Sequence, residues 1–157
     1  MGYIAELRQS VGKRPLIMAG ACVLVFDDAG RLLLQRRSDS GDWGTIGGAM
    51  EPGESLEETA ERELYEEAGL KARTFEFVAL LSGKDMYYRY PHGDEVFNVM
   101  AVYEARGVEG RPFVNDEEGL ELRYFDLYEP IADLNPFTEH VLKKTGYLTK
   151  WYPFVGL

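Results

Sequence analysis

The sequence predicts an α/β layered domain. Three observations carry that expectation. Short apolar β-rich runs alternate with segments of helical spacing in mixed order. Two helices have legible ends, one opening at Ser55 and closing at Gly69, the other opening at Asn135 and closing at Gly146. At 157 residues, 45% hydrophobic and 13% aromatic, the chain can bury one sizeable core, and it is expected to form a single domain over residues 1–157.

The elements follow in order. Ile4, Leu7 and Val11 recur at helical spacing and predict a short N-terminal helix. The stretch "LIMAGACVLVFDDAGRLLLQRR" gives two strands split by Asp27-Asp28-Ala29-Gly30, a hairpin signal. "SDSGDWGTIGGAMEPGE" reads as loop with a short strand near Trp43 to Ile46. A helix spans about Leu56 to Ala68, since Ser55 and Glu58 form a capping box and Gly69 suits a left-handed cap. "RTFEFVALLSG", "EVFNVMAVYEA" and "LELRYFDL" are strands, and "SGKDMYYRYPHGDE" is a loop between the first two. Asn135 caps the last helix, with Pro136 in its first turn and Gly146 past its end.

Composition excludes several classes. A net charge of −10 is wrong for gripping duplex DNA or an anionic membrane surface. No apolar run approaches the ~20 residues that span a bilayer, and the first residues lack the apolar core of a secretory signal. The single Cys22, set in an apolar run, reads as a core residue. The expected location is cytoplasmic. His92 and His140 have no partner pattern and read as surface residues.

The segment Gly48 to Leu70 holds eight glutamates in twenty-three residues. Taking roughly 100° per residue from Leu56, Ala60, Leu64 and Ala68 fall near 40°, 80° and 120° and face the core. Glu58, Glu61 and Tyr65 lie on the far side as solvated positions. Glu63 and Glu67 fall within about 20° of Leu56, on the apolar edge, with Glu66 beside them. Clustered, partly desolvated carboxylates are costly unless protonated, paired or bound to metal. Arg62, at i+4 spacing from Glu58 and to Glu66, neutralises part of the charge. An all-oxygen cluster suits a hard divalent cation, Mg2+ or Mn2+.

With Gly48, Glu54, Arg62, Glu63, Leu64, Glu66, Glu67, Gly69 and Leu70 at the specified positions, the stretch resembles the Nudix box. The order of the flanking elements is similar too. Ile46 stands where many members have a proline before the two glycines. The resemblance implies the Nudix fold, a mixed β-sheet sandwiched between helices, with the box as a loop–helix–loop. It implies a Mg2+-dependent pyrophosphohydrolase of nucleoside di- or triphosphates or their derivatives, such as nucleotide sugars, dinucleoside polyphosphates or oxidised nucleotides. Glu63, Glu66, Glu67 and the Gly47 carbonyl would be metal ligands, Arg62 would orient the carboxylates, and Glu54 would support the loop. A further acid from a later loop, as ligand or general base, is expected at Glu118, with Asp116, Glu117 and Glu95 as competitors. The competing function is a catalytically silent domain that senses a nucleotide; such domains usually lose box carboxylates, and this box is whole.

Substrate contacts are expected from Arg36 or Arg37, of which one faces outward because neighbours on a strand alternate faces. They are also expected from Tyr88 and Arg89 in a loop that carries Lys84, Tyr87 and Tyr90 as well. The same tyrosines could instead cover the sheet or join two copies as a homodimer. The expected partner is a small nucleotide.

Overall fold

Strands β1 (Leu16–Leu24) and β7 (Glu95–Arg106) explain the arrangement of the rest. Both are apolar on successive residues rather than alternate ones, so both faces must be covered. The structure, a computed structural model, describes residues 2–148. In it β1 and β7 run parallel at the centre of a mixed sheet, with Leu16 opposite Val96 and Leu24 opposite Glu104. Strand β4 (Ile46–Ala49) joins β1 antiparallel. On the other edge of β7, β5 (Thr74–Leu81) and the three-residue β6 (Tyr87–Arg89) pair one after the other, both antiparallel. A second, antiparallel sheet has the order β3 (Trp43–Gly44), β2 (Leu32–Arg37), β8 (Gly119–Phe125).

Two buried clusters lie on the two faces of the central strands. Ala21, Val23, Ala101 and Tyr103 meet Ala60, Leu64 and Ala68 of helix α2 (Leu56–Ala68). Cys22, Leu24, Met100 and Val102 meet Val141 and Leu142 of the C-terminal helix, Pro136–Lys144. The mixed sheet is therefore sandwiched between helices, as expected. Helix α1 (Tyr3–Val11) buries none of its residues. Arg8 holds it in place, donating to the carbonyls of Gly12, Arg14 and Glu95.

The caps form as their residues dictate. Ser55 Oγ accepts from the Glu58 amide and the Glu58 carboxylate from the Ser55 amide, while Gly69 closes α2 at φ 66°, ψ 17°. Asn135 Oδ1 accepts from the amides of Phe137 and Thr138 at the start of the last helix, α3.

Three expectations need correction. The turn at 27–30 forms a local hairpin, in which the Leu33 amide donates to Val25 O, but the flanking strands then diverge into different sheets. The single strand expected near Trp43 is two strands, because Thr45 breaks the ladder and sends β3 and β4 to different sheets. The segment expected to be a loop at 82–95 contains β6, whose three residues are too few to show a period-two pattern between turn residues.

Leu64 is fully buried between α2 and the sheet, so Leu64→Ala should cost about 3 kcal/mol in urea unfolding. Ser55→Ala, which removes only the cap, should cost about 1 kcal/mol.

Candidate active site

Helix α2 presents Glu63 and Glu67 to the sheet one turn apart, only 8% and 2% exposed. They lie over β4, where Gly48 makes room for Glu63 and Gly47 for the neighbouring strand β1. A Cβ at Gly48 would stand 2.4 Å from Glu63 Oε1, and one at Gly47 would stand 2.3 Å from the Ala21 carbonyl oxygen. The Gly47 amide donates to Glu67 Oε2 at 2.9 Å.

Arg62 joins the helix to the preceding loop. Nε and Nη2 grip Glu54 at 2.6 and 2.9 Å, Nη2 also donates to the Ala49 carbonyl at 2.9 Å, and Nη1 reaches Glu63 at 2.9 Å and Glu66 at 3.2 Å. These bonds to Arg62 hold the Glu54 carboxyl down at about 2. Glu66 is exposed at the rim.

Glu118, just before β8, completes the group. It lies on the rim, its side chain next to that of Glu67. Burial pushes Glu63 up to about 7 against the opposing charge of Arg62, and Glu118 and Glu66 add to the rise. Burial, and then the Glu63 charge, raises Glu67 well above the usual carboxylate range, offset in part by the Gly47 amide and a hydrogen bond from Gln35. Burial and the neighbouring Asp116 raise Glu118, opposed by Arg37.

Among the described residues no three acidic, histidine or cysteine side chains already surround one point. The carboxylates are instead turned onto Arg62, the Gly47 amide and one another. The donor set still fits a hard divalent cation: every candidate ligand is an oxygen, and the raised proton affinities of Glu63, Glu67 and Glu118 mark a site short of positive charge.

Two adjoining cavities extend from this cluster. The first is lined by Gln35, Arg37, Gly47, Tyr90 and Glu118, with Ile4 of α1 on its wall. The second shares Arg37, Gly47 and Tyr90 and continues to Tyr88, Asn98, Asn135 and Phe137. Tyr88 meets Tyr90 and Phe137 edge-to-face at 4.9 and 5.8 Å, so the deeper cavity has an aromatic wall. Cys22 also lines it, but burial pushes its thiol up to about 12 and leaves it unreactive.

Of the two strand-end arginines, Arg37 faces the cavities, paired with Asp39 at 2.8 Å. Arg36 turns away, donating to the Gly41 carbonyl and lying over the Trp43 ring. Arg89 is exposed on β6 while its neighbour Tyr88 points inward. Neither Arg36 nor Arg89 lines these two cavities. Glu95 accepts a hydrogen bond from the Tyr87 hydroxyl at the β6–β7 pairing, a different setting from that of Glu118. Sequence reasoning did not single out Gln35 and read Asn135 only as a cap. Gln35 had a signal: it is polar, two residues past Leu33 on the same face of an apolar strand.

The model of the NUDIX domain matches residues 16–145 of the chain. The chain belongs to the Nudix family. Among Nudix relatives, nucleoside triphosphatase NudI of Salmonella arizonae is 29% identical over 149 residues, 90% of this chain and 100% of that protein. A putative 8-oxo-dGTP diphosphatase of Bacillus subtilis is 40% identical over 72 residues, 46% of this chain and 44% of that protein. The chain spans only 18% of a Bifidobacterium longum protein described as a nucleoside triphosphate pyrophosphatase/Nudix hydrolase fusion. The structure of a MutT NUDIX hydrolase from Burkholderia pseudomallei superposes with a TM-score of 0.67 at 25% identity, covering 81% of this chain and 96% of that one.

Raised carboxyl affinities fix how stability depends on pH in metal-free protein. A folded state that holds protons more tightly than the unfolded chain is favoured below the unfolded value near 4.5 and loses that advantage as pH rises toward about 7. In chelator, stability should therefore fall between pH 5 and 7.5 by on the order of 2 kcal/mol. Glu67→Gln should flatten the slope and raise stability at pH 7.5, as read by urea unfolding at each pH.

Proposed function

We propose that the chain is a Nudix pyrophosphohydrolase, acting as a single domain and dependent on a divalent metal. It hydrolyses a phosphoanhydride bond of a nucleoside triphosphate or a related nucleotide. The observation that carries this reading is the pair of buried carboxylates, Glu63 and Glu67, behind Gly47 and near Glu118, where two cavities share Arg37, Gly47 and Tyr90. No helix among the described residues is long and apolar enough to cross a membrane.

Glu63, Glu67 and the Gly47 carbonyl would hold Mg2+ or Mn2+, with Glu66 and Glu118 at the rim. Such an ion supplies charge neutralisation for a diphosphate and a lowered pKa for water. Arg62 keeps Glu63 and Glu66 aimed through Nη1 while Glu54 fixes its other edge. Glu118 lines the cavity beside the carboxylates, where it is placed to accept the proton of an attacking water, and burial raises its proton affinity in the direction that favours a base. Arg37 stands where the two cavities meet and gives the phosphate chain a cation. Tyr88 and Phe137 offer ring faces and edges to a base in the deeper cavity. The nucleoside triphosphatase and 8-oxo-dGTP diphosphatase names of the relatives support a nucleoside triphosphate as the first class to test.

Purified protein should release pyrophosphate or phosphate from one of a panel of ordinary and oxidised nucleoside triphosphates, nucleotide sugars, ADP-ribose and dinucleoside polyphosphates. Chelator should abolish the release. Glu63→Gln and Glu67→Gln should each lower kcat by several orders of magnitude, whereas Glu58→Gln and Glu61→Gln, on the exposed face, should stay within about twofold. Equal effects at all four positions would overturn the assignment. Tyr88→Ala should raise KM more than it lowers kcat, because stacking acts on ground and transition states alike.

A further inference from the structure

Gln35 is 2% exposed, and its Oε1 is buried without a hydrogen-bond partner among the described residues. An orphaned buried acceptor costs about 1–3 kcal/mol, so a leucine or methionine here would make the fold more stable. Three features suggest what the amide does instead. The Gln35 carboxamide lies beside the Glu67 carboxylate and offsets its raised affinity, as the Gly47 amide does from β4. The Gln35 side chain lines the same cavity as Glu118. Residue 119, directly after that glutamate, is a glycine whose missing Cβ would stand 2.9 Å from Gln35 Oε1, so the chain leaves this oxygen its space.

We propose that Gln35 is a positioning residue of the metal site. Its Nε2–H fixes the Glu67 carboxylate, and its Oε1 accepts a hydrogen bond from a water held between it and Glu118. The carboxamide thereby links two carboxylates that come from different elements, α2 and the segment leading into β8. The inference rests on the metal-dependent reading above. A neutral carboxamide suits the role because it donates to one neighbour and accepts from another without adding a fourth negative charge to Glu63, Glu67 and Glu118.

The test is Mn2+ binding to the whole 157-residue chain, followed by electron paramagnetic resonance, for wild type, Gln35→Met, Gln35→Asn and Glu67→Gln. Melting in chelator and steady-state kinetics accompany it. Gln35→Met keeps the volume but loses both polar functions; Gln35→Asn keeps the amide but draws it back by one methylene. Both should weaken Mn2+ binding 10- to 100-fold. Gln35→Met should melt in chelator at or above the wild-type temperature, and kcat should fall tenfold or more with KM changed by less than twofold.

Mn2+ affinities of both Gln35 variants within twofold of wild type would overturn the positioning role. So would a drop in melting temperature with Mn2+ binding intact, which would make Gln35 a packing residue. Wild type that binds no Mn2+ would overturn the metal reading and this inference with it. Wild type that binds while Glu67→Gln does not, with both Gln35 variants unaffected, would remove only the Gln35 role.

Discussion

The guanidinium of Arg62 is the interaction on which the rest of the site depends. It has five N–H donors, and each finds an acceptor: two on Glu54, one on Ala49 O, one on Glu63 and one on Glu66. A planar fork used in this way fixes three bodies at once. The end of β4 is tied through Ala49 and the loop after it through Glu54, the buried face of α2 through Glu63, and its rim through Glu66. Lysine, with a compact ammonium head, could not bridge these acceptors in one plane. The bond from the Glu51 amide to Glu54 extends the network a further step into the loop.

The clamp neutralises only part of the charge gathered beside it. Glu63 has Arg62, whereas Glu67 accepts from the neutral Gly47 amide and lies beside the neutral Gln35 carboxamide. That imbalance is strained chemistry inside a well-packed frame. Leu64 and Ala68, on the same helix, are fully buried in apolar surroundings. The frame supplies the stability that the carboxylates do not, which is the usual division between scaffold and functional group.

Much of this was legible in the residue order. The capping box at Ser55, the left-handed Gly69 and the Asn135 cap depend on contacts within a few residues, and all three form as read. The division of the glutamates into outer and inner sets also held, because helical phase is a local property: Glu58 and Glu61 are exposed, Glu63 and Glu67 are buried. What escaped was non-local. Nothing around Thr45 says that Trp43 and Ile46 join different sheets, and nothing in "LLLQRR" says that Gln35 meets Glu67. The inward turn of Arg37 rather than Arg36 follows from strand alternation only once the direction of one neighbour is known.

The parallel ladder between β1 and β7 also sets an order of events during synthesis. Leu16 cannot find Val96 until most of the chain has left the ribosome, and a parallel pair must close a long loop before any of its bonds form. Until then β1, apolar on both faces, has only β4 beside it. The nascent chain therefore exposes a sticky strand edge during most of its own translation. Chaperone capture at Leu16–Leu24, or aggregation where capture fails, is the hazard that this topology carries.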